Sequence, residues 1–572
     1  MENKRRIAIL GGGPSGLFMF KQLVDANRAD ITIDIFEKKH QLGVGLPYSA
    51  DGARDEHITN VSGNEIPELV TSVAEWIAVA PKALLDHFNI TPQKYNDYKV
   101  LPRLLFGHYL SAQFTLLKEK AEEQGILNQI HFESMVTDII DYPQQNIIQV
   151  EINGDKLFEY DQVIICTGHR WPPRHEGKVP GYFDSPYPPA KLLLKLDHPV
   201  AIKGASLTAI DAIRTLARAN GEFTVGEDGH RHTYTPAADS AGFKMVMHSR
   251  NGLLPAVRFH LEDPHLSKDA TLSIAEMQCY REEHGGFLSL DYLFEENFKA
   301  QFKEKRPAFY ERIKDMDLET FVNTMMELRE SKDPFELLKA EYAEADKSIE
   351  NERSVYWKEM LAILSFAMNY PAKYLPAEDN LRLKKVLMPL ISIVIAFVPQ
   401  SSVEEMLALH QAGVLEIVSV GEDSHPDPEK KGGATYFYTD EHGEEAAVYY
   451  KTFVDCVGQP HLEFEDLPYK SLIDKETLIP ARLQFKDAAQ AKLLLQEGSK
   501  EVETDHKGNY YMHVPGIAIN DNFQPVDAYG AFNPRIYMMA VPYIGGFNPD
   551  YSGLDFCEAS SERIIKSMFN NG

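Results

Sequence analysis

The chain opens on a short apolar run, Ile7-Ala-Ile-Leu10, that stops at Gly11-Gly-Gly-Pro-Ser-Gly16 and passes into helical apolar spacing. A second apolar run covers residues 31 to 36 and ends in Glu37. Runs of this length bounded by glycine predict strands, so residues 1 to 40 read strand, helix, strand. Helical spacing follows over 103 to 124, and strand patterns lie at 131 to 136, 147 to 152 and 158 to 166. After a proline-rich link, 172 to 189, the opening pattern restarts as Val200-Ala-Ile-Lys-Gly204-Ala-Ser206-Leu-Thr208-Ala-Ile-Asp211, with a strand pattern at 244 to 249. Between 256 and 385 glycine becomes sparse, and Leu, Phe and Tyr alternate with Glu and Lys at helical spacing. Charge alternation over 295 to 352 reads as solvated helix faces. Strand patterns return at 415 to 420, 435 to 439 and 448 to 457. A last buried strand within 534 to 542 leads through Gly545-Gly546 and Ser552-Gly553 into a helix over 554 to 568.

This order predicts an α/β fold with two Rossmann-like dinucleotide-binding domains, of the three-layer ββα type, interrupted by a helical insertion. The expected partition is 1–195 and 459–572 for a first dinucleotide-binding domain, 196–255 and 386–458 for a second, and 256–385 for the insertion. The apolar stretch 386 to 398 is 13 residues long and contains Pro389, so it reads as buried core rather than a bilayer span.

The first turn carries Gly11-x-Gly13-x-x-Gly16 between strand and helix, with an acid 21 positions after Gly16. The three glycines serve different ends. Gly11 permits the tight turn, Gly13 lets the backbone approach a pyrophosphate, and Gly16 lets helix and strand pack closely. Pro14 and Ser15 start the helix whose N-terminal amides would face the phosphates. Glu37, followed by Lys38, would accept from ribose hydroxyls. The second turn reads GxGxxA with Ser206 at the middle glycine, flanked by Gly204 and Thr208, and its second strand ends in Arg250. A guanidinium there suits a 2′-phosphate, whereas a carboxylate suits a free 2′-hydroxyl. The expected cofactors are therefore FAD in the first unit and NADPH in the second.

A net charge of −27 repels nucleic-acid backbones and anionic membranes. Four scattered cysteines without a CxxC predict a reducing, cytoplasmic setting and disfavour a disulfide reductase. No group of His, Cys or Asp has metal-ligand spacing, His230-Arg231-His232 reads as a polar surface loop, and no nucleophile motif appears.

The ordered set Gly11-Gly-Gly-Pro-Ser-Gly16, Gly45-Leu-Pro-Tyr-Ser49, Asn60, Pro102-Arg103-x3-Gly107-x-Tyr109, Cys166-Thr-Gly-His169, Gly204-x-Ser206-Leu-Thr-Ala-x-Asp211, Ser249-Arg-x-Gly-Leu-Leu-Pro255 and Asp455-Cys-Val-Gly458 resembles the bacterial FAD/NAD(P)-binding protein family, related to flavin-containing and N-hydroxylating monooxygenases. The resemblance covers most of the chain apart from 256 to 385. It implies that Asn60 and Arg103 lie near the flavin, where they are the catalytic candidates, and that Val136 meets the adenine. It further places Thr167-Gly168 and Gly546 at the first site, with Gly553 opening a helix toward the flavin. It implies an NADPH-using monooxygenase that forms a flavin C4a-hydroperoxide and oxygenates a small substrate with O2, N-hydroxylation first. A flavin reductase passing electrons to a quinone and a flavoprotein sensor or scaffold are the alternatives. The insertion would act as a substrate lid, with Phe287, Tyr292, Phe366 and Tyr370 as an apolar wall, or else as a dimerisation arm.

Overall fold

In the computed structural model, residues 4–168, 171–226, 232–263, 271–440, 442–459, 461–550 and 553–569 are described. The opening apolar run forms the strand Arg5–Leu10 at the centre of a five-stranded sheet, Ile536–Met538, Gln162–Ile165, Arg5–Leu10, Ile31–Phe36, Leu127–His131, with parallel pairing throughout. Ile7, Ile9, Ile33, Ile35, Val163 and Ile164 are buried. A parallel sheet covered on both faces needs such continuous apolar strands. The helices Pro14–Asp25 and Gly553–Phe569 pack together over one face.

A second sheet repeats the plan in the order Tyr182–Phe183, Thr452–Asp455, Pro199–Lys203, Lys244–Ser249, Leu415–Ser419, again parallel. In each sheet the edge strand Leu127–His131 or Leu415–Ser419 is followed by a three-stranded antiparallel layer: Val136–Tyr142, Ile147–Ile152 and Lys156–Tyr160 in the first, His425–Pro428, Ala434–Thr439 and Glu445–Tyr450 in the second. The next strand, Gln162–Ile165 or Thr452–Asp455, then returns beside the central one. The expected strand at 131 to 136 is two strand ends separated by a bend, where Ser134 donates its amide to the Glu37 carbonyl at 3.0 Å.

The helical run between the halves of the second sheet begins at Ile274–Glu283 and extends to Met388–Val394, past the boundary expected at 385. Leu387, Leu390, Ile391 and Val394 are fully buried in its core, so the apolar stretch there is a packed helix. Among the described residues no helix is long and apolar enough to cross a membrane. Entry and exit of the run are stitched side by side: Val398 donates to Ala256, and Arg258 donates to Val398. One helix of the run, Pro334–Glu350, packs on the second sheet's core through Phe335, which stacks on His410 at 3.7 Å. His232 is a correction to the polar-loop reading. It starts the strand His232–Pro236 and its ring faces Glu404 at 3.0 Å, while His230 and Arg231 lie outside the described residues.

Candidate functional site: two nucleotide cradles and the seam between them

Gly11 has φ +111° and Gly204 φ +107°, conformations that favour glycine. A Cβ on Gly11 would lie 2.7 Å from the Cys166 carbonyl oxygen, and one on Gly204 2.9 Å from that of Cys456. Each cysteine directly follows the strand that returns beside the central one, and their amides donate to the Leu10 and Lys203 carbonyls in matching positions. The two turns are therefore the same device built twice.

In the first turn, a Cβ on Gly13 would sit 3.1 Å from Gly45 Cα, and one on Gly16 would collide with the Gly11 carbonyl. Gly13 is the N-cap of Pro14–Asp25, without a capping side chain, and the first helical bond runs from Leu17 to Gly13 at 2.9 Å. The amides of Ser15 and Gly16 thus precede the helical ladder, at the positive end of its dipole. An adenine dinucleotide fits these residues, because bare backbone and an uncapped helix start are what a pyrophosphate requires.

Glu37 is 8% exposed; one carboxylate oxygen accepts from the Gly12 amide at 2.9 Å and the other from the Lys39 amide at 2.9 Å. It holds the glycine turn, a role beyond the expected contact with the ribose, and it retains further lone pairs for hydroxyls. Lys38 is exposed. Val136 starts its strand opposite Ile152, just beyond the segment bonded to Glu37 and Lys39. Thr167 shares a hydrogen bond with the Tyr469 hydroxyl at 3.1 Å, and Gly168 is exposed, while His169 lies outside the described residues.

In the second turn, Ser206 caps Leu207–Asn220 without a side-chain bond and Thr208 sits in the first turn of that helix. Gly458, φ +93°, would bring a Cβ 3.7 Å from the Thr208 hydroxyl. Arg250 is 61% exposed at the end of its strand and contacts Glu422 at 3.2 Å. The guanidinium is accessible to a phosphate but already faces a carboxylate. Beside it, His248 is buried and stacked on Tyr436 at 4.1 Å, and burial pushes its pKa down to about 4.

Arg103 opens the helix Arg103–Glu123, as the sequence predicts, but its charge is committed to the other unit. Nη2 donates to both carboxylate oxygens of Asp211 at 2.7 and 2.6 Å, and Nε donates to the Ile58 carbonyl at 3.1 Å. Asp211 lies on Leu207–Asn220, is 5% exposed, and also accepts from the Tyr187 hydroxyl at 2.8 Å. Burial raises the Asp211 carboxyl, yet the Arg103 guanidinium and its neighbours more than offset this, and the net shift is downward. Next to it the buried His57 ring meets the Asp211 carbonyl at 3.2 Å and the Thr215 hydroxyl at 3.0 Å, and Thr215 donates to Glu56 at 2.7 Å. Arg103 is thus a seam residue. Asp211 belongs to the second motif, yet nothing local marks it as Arg103's partner; Tyr187, His57, Glu56 and Thr215 carry no local signal either.

Asn60 lies in the strand Ile58–Ser62, where its carbonyl accepts from Arg258. The buried Arg258 also donates to Ser62 at 2.8 Å and pairs with Glu65, so the entry to the helical run is anchored on the first unit. Gly546 is packed where a Cβ would press 2.6 Å from the Pro515 carbonyl, a structural reason for glycine there. Gly553 starts Gly553–Phe569 in open space, and Ser15 approaches Cys557 of that helix at 3.4 Å. In its first turn Asp555 is pushed up to about 7, by burial first and then by Glu558 and Asp550. Of the four aromatic residues expected as a lid wall, Tyr370 reaches Asp521 at 3.1 Å, whereas Tyr292 stacks on Tyr280 inside the helical run.

Residues 8–170 match the FAD-NAD(P)-binding family model, and residues 273–395 match that of the YdhS-like middle domain. The chain is 28% identical over 478 residues to the uncharacterized protein YdhS of Escherichia coli (strain K12), covering 82% of this chain and 86% of that one. It is 28% identical over 173 residues to trimethylamine monooxygenase of Roseovarius sp. (strain 217), covering 29% and 36% of the two chains. Among solved structures, L-lysine 6-monooxygenase from Pseudomonas syringae aligns over 99% of both chains at 11% identity with a TM-score of 0.44. The chain therefore carries an FAD-NAD(P)-binding domain over residues 8–170 and a YdhS-like middle domain over residues 273–395.

Proposed function

We propose that this chain is an FAD-dependent oxidoreductase that takes its electrons from NADPH, and within that class a monooxygenase that oxygenates a small molecule with O2, by N-hydroxylation in preference to other reactions. The observation that carries this reading is the duplicated cradle, Gly11 against Cys166 and Gly204 against Cys456, with an acid at the first ribose position and Arg250 at the second. Two dinucleotides side by side serve electron transfer from one to the other. The match to trimethylamine monooxygenase supports the oxygenase assignment.

FAD supplies the redox chemistry when bound. The residues of the chain do the rest. The Ser15 and Gly16 amides receive the pyrophosphate, and Glu37 fixes the turn and offers lone pairs to the ribose. Arg103 and Asp211 set the angle between the two units, and Arg250 selects the 2′-phosphate. The partition into 1–195 with 459–572, 196–255 with 386–458, and 256–385 as a substrate lid follows from this reading. Anchors at Arg258 and Tyr370 support the lid role, since both tie the helical run to the first unit. A closed, apolar cover keeps water from the reacting flavin face.

The test is oxygen uptake coupled to product analysis with NADPH and a panel of amines, amino acids and ketones. A substrate that accelerates NADPH oxidation and leaves as its N-hydroxylated product supports the reading. Turnover that requires an added quinone, with all consumed oxygen recovered as peroxide, would make the protein a reductase.

A further inference from the structure

Where the YdhS-like middle domain meets the first unit, a cleft of about 380 Å³ is lined by Lys373, Tyr374, Ile519, Asn520, Asp521 and Phe547. Lys373 sits in the turn Pro371–Tyr374, with its side chain 10% exposed and its ammonium 2.5 Å from Asp521. The hydroxyls of Tyr374 and Tyr370 donate to the same carboxylate at 2.7 and 3.1 Å. Two further cations converge on these rings. The Arg281 guanidinium lies 3.3 Å from the Tyr374 ring centre, and that of Arg563, on Gly553–Phe569, lies 5.2 Å from the Tyr370 ring centre. Lys373 itself is 5.1 and 5.4 Å from the two rings. Three cations therefore gather around the two tyrosine rings in a chain whose net charge is −27: Lys373 pairs with the Asp521 carboxylate, Arg563 donates to the Asp521 backbone carbonyl at 3.4 Å, and Arg281 covers Tyr374 from beyond the cleft lining. Burial lowers the Lys373 ammonium, the charge and hydrogen bond of Asp521 oppose this, and Arg563 and Arg281 add to the lowering, which is the net direction. A second negative group would relieve the mutual repulsion of these three cations.

We propose that this cleft binds a small organic carboxylate, its charged end held by Lys373, Arg281 and Arg563 and its apolar body set against Tyr374, Ile519 and Phe547. Guanidinium forks bind carboxylates with two parallel bonds, and a concave site with a few convergent charges and aromatic walls is a small-molecule site. The apolar walls favour an organic anion over inorganic phosphate. The loop Gly546–Asp550 joins the cleft to the last helix of the first unit, and Asn369 of the middle domain accepts from the Asp550 amide at 3.0 Å. On the oxidoreductase reading, on which this last step rests, the carboxylate is the anchoring group of the substrate.

The test is calorimetric titration of the full-length, FAD-loaded protein with benzoate, its neutral isostere benzamide, and inorganic phosphate. Benzoate is expected to bind saturably, and benzamide and phosphate at least about tenfold more weakly. Arg563→Gln and Arg281→Gln, at partly exposed positions, are each expected to weaken benzoate about tenfold and leave benzamide unchanged. Retained FAD absorbance and an unchanged thermal midpoint report that each variant is folded. Equal affinity for benzoate and benzamide, tighter binding of phosphate, or no effect of either variant would overturn the proposal. NADPH-driven flavin reduction, measured on the same samples, reports on the oxidoreductase reading separately: benzoate binding without flavin reduction keeps the cleft and removes the substrate role.

Discussion

Arg103 of the first nucleotide unit and Asp211 of the second form a buried ion pair, Nη2 to both carboxylate oxygens at 2.7 and 2.6 Å, with 15% and 6% of their side chains exposed. Arg103 opens its helix, and Asp211 lies within the helix that follows the second glycine turn, so the pair fixes one cradle against the other. Removing one partner leaves a buried charge, which costs about 3–5 kcal/mol. Asp211→Ala is expected to lose that much in denaturant unfolding. The double variant Arg103→Met with Asp211→Leu should recover part of the loss. Strictly additive losses would mean that the pair does not couple the units.

Gly13→Val should yield protein without flavin colour. The branched side chain would start from a Cβ already 3.1 Å from Gly45 Cα and fill the path of the pyrophosphate. The visible spectrum of the purified variant checks this; full FAD content would place the flavin elsewhere.

Arg250→Ala should weaken NADPH binding by about 1.5–3 kcal/mol and leave NADH nearly unchanged, since one charge-assisted bond to the 2′-phosphate is lost. The nearby Glu422 adds a second expectation. Glu422→Gln should tighten NADPH, because the guanidinium then has no competing carboxylate at 3.2 Å. Parallel changes for NADPH and NADH in both variants would remove Arg250 from the 2′ position.

His248 predicts a loss of stability on acidification. Its pKa is near 4 in the fold and near 6.5 when unfolded, so the unfolded chain binds the extra proton between those values. Stability from this group is complete above pH 6.5 and falls by about 3 kcal/mol as pH drops to 4. His248→Phe should flatten that decline in unfolding curves taken across the window. Asp555 acts with the opposite sign: raised to about 7, it favours the fold below the ordinary carboxylate range and loses that contribution as pH rises through 7. Asp555→Asn should therefore be more stable than the parent above pH 7, relative to its behaviour at pH 4. An unchanged pH profile in either variant would contradict its assignment.

The two cradles were legible in the sequence because their demands are local. A strand, a glycine with positive φ and a helix start occupy a dozen consecutive residues, and Gly11 and Gly204 meet the same requirement in the same spacing. The pattern at 131 to 136 hides the end of the strand Leu127–His131, because it continues through a bend that only the bond from Ser134 to Glu37 reveals. The pairing of Gly221–Val225 with His232–Pro236 shows only Phe223, Val225 and Tyr234 as large apolar positions, too few to mark two strands in the sequence. The seam could not be read, since Arg103 and Asp211 are 108 residues apart and each looks like an ordinary helix residue. The cleft around Lys373 and Asp521 is assembled from the middle domain and two loop segments of the first unit, with Arg563 of the last helix beside it, and no one segment carries its charge pattern.

On the proposed function, the first cradle holds FAD and the second delivers electrons from NADPH to it. Anaerobic mixing of the purified, FAD-loaded protein with NADPH, followed by the flavin's visible absorbance, tests it most directly. Bleaching by NADPH is expected, faster than by NADH, with the difference abolished in Arg250→Ala. A flavin that stays oxidised under saturating NADPH and NADH would contradict it.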